Sequence, residues 1–139
     1  MKEILIAPCG MNCALCYAFI REKNRCEGCL VQTEQKSNHC KNCSIKNCEM
    51  HTGADSILCH VCPKFPCARI RKLDLRYRTK YHMSMIENLE YIRSRGMEAF
   101  LENEKTRWAC SSCGSIITVH RENCPTCDSQ ITFALEAKC

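Results

Sequence analysis

Cysteine is the residue type in this chain with the most potential for chemistry, since it occupies 16 of 139 positions. Twelve of these cysteines form six pairs with the spacing Cys-x-x-Cys, which allows two thiolates to bind one metal ion. The pairs are Cys13/Cys16, Cys26/Cys29, Cys40/Cys43, Cys59/Cys62, Cys110/Cys113 and Cys124/Cys127, and the unpaired cysteines are Cys9, Cys48, Cys67 and Cys139. No comparable pattern indicates a catalytic site, so the sequence predicts metal binding and leaves enzymatic activity open, with the balance against it.

The cellular compartment decides whether such pairs bind metal or form disulfides. The first residues lack a charged segment followed by a long apolar run, so we expect no signal peptide, and no apolar run reaches the roughly 18 residues of a membrane span. We therefore expect a cytoplasmic protein, in which paired cysteines are thiolate ligands. The formal charge of +5 counts the thiols as neutral, and four zinc ions with fifteen thiolates would lower it to about −2.

The clearest metal motif lies near the carboxyl end, where two Cys-x-x-Cys pairs flank a short segment. Its cysteines are Cys110, Cys113, Cys124 and Cys127. The motif resembles a zinc ribbon, and four thiolates in a tetrahedron favour zinc and leave no open position for a substrate. Iron in a rubredoxin-like site would use the same ligands. We expect His120, between the pairs, to be a surface residue.

The amino-terminal part contains eleven cysteines, whereas three tetrahedral sites require twelve ligands. His51, three residues after Cys48, is the better candidate for the missing ligand, because His60 lies inside a cysteine pair. A site with only three protein ligands, or a free cysteine, would also satisfy the count. Spacing does not fix the grouping, and we favour two sets of four. They are Cys13, Cys16, Cys26 and Cys29, and Cys40, Cys43, Cys59 and Cys62, which leaves Cys9, Cys48 and Cys67.

An iron-sulfur cluster is the alternative for this part of the chain. Cys9, Cys13 and Cys16 have the spacing Cys-x-x-x-Cys-x-x-Cys, which matches the cluster motif of radical SAM enzymes. Those enzymes require a large partial barrel, for which 139 residues leave no room, and Leu15 stands where the motif usually has an aromatic residue. Another iron-sulfur cluster that carries electrons or senses oxidants remains the alternative hypothesis.

The best signal for a macromolecular partner is a basic segment in the middle of the chain. Its cations within residues 69–80 are Arg69, Arg71, Lys72, Arg76, Arg78 and Lys80. They could contact phosphates while Tyr77 and Tyr81 stack on bases, or they could contact a protein. The alternative is that the segment neutralises the anionic metal-thiolate sites.

The apolar pattern of the middle of the chain predicts helices. Ser84 and Glu87 form a capping box ahead of a helix that Gly96 ends, and a second helix spans residues 97–105. Short helices are expected at residues 13–21 and 66–73, and strands at residues 116–119. We therefore predict a small metal-stabilised α+β fold with three regions: a cysteine-rich lobe (1–68), a basic segment with two helices (69–108) and a β zinc ribbon (109–139).

The order of the cysteine motifs resembles the DUF3795 family of small cysteine-rich prokaryotic proteins. The resemblance rests on the set from Cys9 to Cys29 and on the segment Cys59-x-x-Cys62-Pro-x-Phe-Pro-Cys67. Residues 75–81 and 84–89 are similar to a longer subgroup of that family that ends in a zinc ribbon. The resemblance implies metal binding and supplies no catalytic residues. We predict a multi-zinc protein with mostly structural sites that acts as a protein-binding or nucleic-acid-binding module, with no membrane and no small-molecule substrate involved.

Overall fold

The computed structural model of the protein describes residues 1–54 and 56–133. These residues contain five α-helices and four 3-10 turns, joined by irregular segments. The α-helices are α1 (Tyr17–Ile20), α2 (Asn38–Lys41), α3 (Ala68–Lys80), α4 (Met85–Arg95) and α5 (Met97–Arg107). The 3-10 turns are Glu3–Leu5, Cys13–Leu15, Glu49–His51 and Cys59–Val61. Only α3, α4 and α5 exceed one helical turn, so they supply most of the regular structure.

Helix α4 begins and ends as its sequence predicts. The Glu87 backbone N–H donates a hydrogen bond to Ser84 Oγ over 3.1 Å, which caps the amino end. Gly96 ends the helix with a φ of +86°, which a residue with a Cβ adopts only with strain. The predicted core positions Met85, Leu89 and Ile92 are buried. The Ser84 cap, the stop at Gly96 and the apolar face are therefore confirmed, whereas the reciprocal Glu87 side-chain bond of a capping box is not seen in the described residues.

The predicted helix at residues 66–73 exists but is longer, because α3 continues to Lys80. The predicted helix at residues 13–21 is broken into a 3-10 turn and α1, which meet at Cys16 in an extended conformation. The extended helix contains Asp74, a buried carboxylate that the periodicity alone did not single out. Asp74 faces the start of α4 and fixes the angle at which the two helices meet.

Asp74 accepts hydrogen bonds from three groups. Ser84 Oγ donates over 2.6 Å, the Ile86 backbone N–H over 3.0 Å and Arg78 Nε over 3.1 Å. Burial alone would raise the pKa of the Asp74 carboxyl, but these hydrogen bonds and the Arg78 charge outweigh it and hold the pKa below its usual value. Asp74 is therefore ionised in the folded protein and links α3 to the amino end of α4.

The core joins both ends of the chain. Leu5, Met11 and Leu15 from the amino-terminal segment pack in one cluster with Trp108 and Val119. Deep in this region, Glu104 Oε1 accepts a hydrogen bond from Trp108 Nε1 over 3.1 Å and Glu104 Oε2 accepts one from Asn12 Nδ2 over 3.2 Å. Burial raises the pKa of Glu104 despite these two donors. Residues nearly one hundred positions apart thus share one small core.

The α+β prediction was wrong. The described residues contain isolated antiparallel bridges, such as the one between Ala109 and Ile116, but no strand and no sheet, so the carboxyl-terminal region is not a β ribbon. The β-branched run 116–119 does not pair with a second strand. Its antiparallel contact in the described residues is the isolated Ala109–Ile116 bridge, beside which the Ile117 N–H donates to the Trp108 carbonyl over 2.9 Å. The Val119 N–H donates to the Leu15 carbonyl over 3.1 Å, so the pairing does not continue along the run.

Substitution of Asp74 tests the link between α3 and α4. We expect Asp74→Asn to lower the free energy of unfolding at pH 7 by about 2 to 3 kcal/mol, because buried donors lose a charged acceptor. Glu87→Gln is the control, since Glu87 is exposed and 4.0 Å from Arg78, and it should cost less than about 1 kcal/mol.

The pH dependence of the same effect has a defined sign. Since the folded-state pKa is lowered, the carboxylate stabilises the fold fully above the unfolded pKa of about 4 and loses this effect as the pH falls through the folded pKa. The difference in urea unfolding between wild type and Asp74→Asn should therefore be constant between pH 5 and 7 and shrink below about pH 4. A difference that grew on acidification would contradict the assignment. Wild type and Asp74→Asn would both release metal in acid, and comparing their stabilities at the same pH cancels this shared effect.

Candidate metal centre

Cys110, Cys113, Cys124 and Cys127 form a candidate metal centre. Their four Sγ atoms all lie within 4.8 Å of one another, and no other group of three or more potential ligands in the described residues is this compact. The Cys110 and Cys127 sulfurs are 3.8 Å apart, as are those of Cys113 and Cys124. A tetrahedron with zinc-sulfur bonds of about 2.3 Å has edges of about 3.8 Å. The spacing therefore fits a four-coordinate thiolate site.

The centre is built from two turns with the same hydrogen bonds. In the first turn, the Cys110 N–H donates to the Ser115 carbonyl over 2.8 Å and the Gly114 N–H donates to the Cys110 carbonyl over 2.8 Å. Gly114 has a φ of +74°, in the left-handed region that a glycine adopts without strain. This arrangement folds the backbone around the cysteine pair and directs both thiols to one side.

The second turn repeats the first fourteen residues later. The Cys124 N–H donates to the Ser129 carbonyl over 2.9 Å, and the Asp128 N–H donates to the Cys124 carbonyl over 2.9 Å. Asp128 takes the place of the glycine with a φ of +59°. The sequence carries this repeat as Cys-x-x-Cys-x-Ser-x-Ile-Thr at residues 110–118 and 124–132. Our sequence interpretation missed it, although a search for self-similarity over this short period would have found it.

The serine of each repeat contacts the thiols. Ser129 Oγ lies 3.0 Å from Cys127 Sγ and 3.5 Å from Cys110 Sγ. Together with the backbone N–H groups of the first turn, the Ser129 hydroxyl lowers the pKa of Cys110 to about 5, and the Ser115 hydroxyl lowers the pKa of Cys113. Thiolates are the metal-binding form, so these donors prepare the centre for a cation. Ser115 and Ser129 were not among the predicted site residues.

The amino-terminal cysteines lie in looser groups. The Cys29 backbone N–H donates to Cys13 Sγ over 3.3 Å. Burial raises the pKa of Cys16, and the neighbouring Cys26 and Cys29 thiols add to the rise. These contacts bring Cys13, Cys16, Cys26 and Cys29 into one neighbourhood, which is the first set that we favoured from spacing.

A second group surrounds Cys59. Burial raises the pKa of Cys59 to about 12, with further contributions from four neighbouring thiols, those of Cys9, Cys67, Cys48 and Cys62. Burial also raises the pKa of Cys9 to about 12, and its thiol neighbours are Cys29 and Cys43. Cys9 therefore lies between the two groups and beside Cys59. The sequence grouping, which placed Cys40 and Cys43 with the 59/62 pair, had left Cys9, Cys48 and Cys67 unassigned.

The histidines divide into three cases. His51 Nε2 lies 3.0 Å from the Ile45 carbonyl oxygen, so this nitrogen is the hydrogen-bond donor. In the neutral imidazole Nδ1 then has a free lone pair, which could bind a metal. His60 Nδ1 is buried and has no hydrogen-bond partner among the described residues. His120 is not a simple surface residue, because the Tyr17 N–H donates to its Nδ1 over 3.4 Å and its Nε2 lies 3.2 Å from the Tyr77 hydroxyl.

The basic segment corresponds to α3, and its cations have different environments. Arg78 bonds Asp74, and Arg69 donates to the Ser44 carbonyl over 3.1 Å. The remaining exposed cations of the helix are Arg71, Lys72, Arg76 and Lys80, and none of them forms an ion pair with a carboxylate of the described residues. Leu75 lies among them with 63% of its surface exposed. We call these five residues the α3 face.

The two tyrosines of the basic segment point away from the α3 face. Tyr77 and Tyr81 are half-buried, with ring centroids 4.9 Å apart, and the Tyr81 ring packs against His120 at 4.8 Å. Burial raises the pKa of Tyr77. The expected stacking of these rings on nucleic-acid bases finds no support, since they hold α3 against residues near the metal centre. Cys139, one of the four cysteines outside the Cys-x-x-Cys pairs, lies outside the described residues.

The Ser129 hydroxyl gives a direct test of the metal centre. We expect Ser129→Ala to weaken zinc binding about tenfold, because the Cys127 and Cys110 thiols lose the hydroxyl that contacts both of them. Ser111→Ala is the matched control, since Ser111 is an exposed serine in the first turn. Competition with a chromogenic chelator measures the affinity. Equal zinc affinity in the two variants would show that the hydroxyl does not act on the centre.

Comparison with known proteins gives one family match. The model of the family described as "Protein of unknown function (DUF3795)" matches residues 5–72, just under half of the chain. No curated protein matches the sequence and no solved structure matches it. In the described residues, no helix is long and apolar enough to cross a membrane. The match supports the family resemblance that the amino-terminal cysteine spacing indicated, and residues 5–72 are the part of the chain that is similar to DUF3795.

Proposed function

We propose that this protein is a zinc-stabilised binding module: its metal ions are structural, and the α3 face contacts a partner. The observation that carries the proposal is the Cys110, Cys113, Cys124 and Cys127 centre, whose sulfurs already have the spacing of a tetrahedral zinc site. Four protein ligands fill the coordination sphere, so no position remains for water or substrate. A role in folding follows more directly from this ligand set than a role in catalysis.

The location of the centre also supports a structural role. It directly follows Trp108, whose indole is buried in the shared core, and Cys110 and Cys124 are themselves buried. Metal binding at such a site contributes folding free energy, because the unfolded chain lacks the preformed ligand set. We include the eleven amino-terminal cysteines and His51 in the proposal as ligands of further zinc ions, about four in total for the chain. The longer DUF3795 subgroup remains a prediction.

The α3 face supports the second half of the proposal. Helix α3 carries four exposed cations that form no ion pair with the described carboxylates, and two of them, Arg71 and Lys72, lie one helical turn before the exposed Leu75. Asp74 and Tyr77 hold the helix through its buried side. The exposed apolar centre with a charged rim favours an acidic protein surface, because phosphate groups would leave Leu75 without an apolar contact. Nucleic acid is the competing partner class, and it would bind through the cations alone.

Removal of one ligand tests the structural metal. We expect Cys113→Ser to contain one zinc fewer per chain than wild type and to unfold at a lower urea concentration, with a loss of several kcal/mol. Ser112→Ala, in the same turn, is the control and should retain both the zinc content and the stability. Elemental mass spectrometry and urea unfolding give the two values. A Cys113→Ser chain with the full zinc content would contradict the assignment of the centre.

Substitutions on the α3 face test the partner. We expect a protein partner to be lost with Leu75→Ala and with the double variant Arg71→Glu/Arg76→Glu, each weakening binding at least tenfold. The control is Lys23→Glu/Arg95→Glu, two exposed cations on other parts of the surface. Quantitative co-purification and direct titration of the purified partner measure the effect.

The same variants separate the two partner classes. Binding to single-stranded or double-stranded nucleic acid that is abolished by charge reversal, retained by Leu75→Ala and steeply dependent on salt would replace the protein partner with nucleic acid. Binding that tolerates both the leucine substitution and the charge reversal would exclude the α3 face as the contact surface.

A further inference from the structure

We propose that Cys13, Cys16, Cys26 and Cys29 form a second tetrathiolate zinc site and that Lys36 is its buried counter-ion. This inference deepens the proposed function, since it rests on the chain being a zinc protein, but it uses none of the residues of the carboxyl-terminal centre. Spacing alone left the grouping of these cysteines open. The placement of a lysine supplies the missing observation.

Lys36 is an unusual lysine because only 7% of its surface is exposed. Its Nζ donates to the Cys29 carbonyl oxygen over 2.8 Å. No carboxylate oxygen of the described residues lies within 4.0 Å of this ammonium group. A buried ammonium group with only a carbonyl dipole for a partner is costly, and lysines are rarely buried unless a negative charge balances them. A nearby anion would offset this cost.

The cysteine group beside Lys36 can supply that anion. A zinc ion with four thiolates carries a net charge of −2, so the site attracts cations that approach it. A second lysine follows the same pattern, since Lys46 Nζ donates to the Cys40 carbonyl over 2.9 Å. Lys36 Nζ thus contacts the backbone of a proposed ligand, and Lys46 Nζ contacts the backbone of a cysteine outside the proposed set.

The sulfur atoms themselves show the second-sphere contacts of a thiolate site. The Cys29 N–H points at Cys13 Sγ, and such backbone donors stabilise and orient thiolate ligands. The Cys16 N–H donates to the Cys13 carbonyl over 3.0 Å, which folds the 13/16 pair into a tight turn. The Cys26 N–H donates to the Ala18 carbonyl over 2.7 Å, which returns the second pair to the first. Backbone hydrogen bonds therefore connect the two pairs directly.

The turn that carries Cys13 and Cys16 is also held from outside. Asn12 Oδ1 accepts the Ala14 N–H over 3.1 Å, and Asn12 Nδ2 donates to the buried Glu104. The Leu15 carbonyl, between the two cysteines, accepts bonds from Thr118 and Val119. These contacts fix one half of the ligand set in place, and the hydrogen bond from the Cys29 N–H to Cys13 Sγ ties the 26/29 pair to it. The site would be structural, with four protein ligands and no open position.

The experiment removes the charge of Lys36 and preserves its length. We expect Lys36→Met to release one zinc per chain about tenfold more readily to a competing chelator, and Lys36→Arg to restore retention. Lys41→Met is the matched control, because exposed Lys41 also donates its Nζ to a backbone carbonyl, that of Glu34, but lies outside the buried site. Chelator competition on the full-length protein under anaerobic conditions, followed by elemental analysis, counts the zinc retained.

Cobalt substitution identifies the ligands. The charge-transfer and d-d absorption of cobalt report tetrahedral thiolate coordination, and Cys26→Ser should remove one equivalent of that signal. Lys36→Met should have no additional effect in the Cys26→Ser chain, because the site on which it acts is already absent. If Cys26→Ser does not fold, the comparison of zinc retention by Lys36→Met, Lys36→Arg and Lys41→Met tests the proposal by itself. Equal zinc retention by Lys36→Met and Lys41→Met, or a Cys26→Ser chain with the full signal, would overturn the proposal.

Repeating the lysine comparison in the Cys113→Ser chain separates this proposal from the carboxyl-terminal centre. Persistence of the Lys36 effect in that chain places the affected zinc at the amino-terminal site. Loss of the Lys36 effect there, with the effect present in wild type, would assign the affected zinc to the Cys110 centre and overturn the second site while leaving the proposed function intact.

Discussion

The Leu15 carbonyl is the contact on which the arrangement of the two cysteine-rich regions depends. It accepts the Thr118 hydroxyl over 2.7 Å and the Val119 N–H over 3.1 Å, so one oxygen near the amino end binds two donors from the carboxyl-terminal region. Asn12, three residues before Leu15, donates to Glu104, which also accepts a hydrogen bond from Trp108. A chain of 139 residues with short helices buries a modest apolar area, so buried polar contacts of this kind have a large effect on its stability.

This contact also connects the two cysteine regions structurally. Thr118 belongs to the first of the two repeated turns, which the backbone hydrogen bonds around Cys110 form. Leu15 lies between Cys13 and Cys16 in the 3-10 turn Cys13–Leu15. The Leu15 carbonyl therefore joins the turn of one cysteine pair to the turn of another through direct hydrogen bonds.

The parts of the structure that the sequence predicted are those set by near neighbours. Helix α4 depends on Ser84, three residues from the N–H that it caps, and the Cys110 centre depends on two short turns joined by one segment. The failures involve distant partners. Residues 116–119 have strong β propensity, yet their donors bond Leu15, which is 103 positions from Thr118. The expectation that His120 is a surface residue failed for the same reason, because its hydrogen-bond partners Tyr17 and Tyr77 are distant in sequence. The missed serines had a local signal, the repeat of Cys-x-x-Cys-x-Ser, which spacing analysis of cysteines alone does not reveal.

The cations of the chain differ in what they contact. Among α3 cations, Arg69 donates to a carbonyl in the cysteine-rich lobe, at Ser44, and Arg78 bonds Asp74. The lysines that contact cysteine carbonyls are Lys36 and Lys46, which lie outside α3. Arg71 and Lys72 are exposed beside Leu75, where like charges on one helix repel one another, and the acidic partner that we propose would relieve that repulsion.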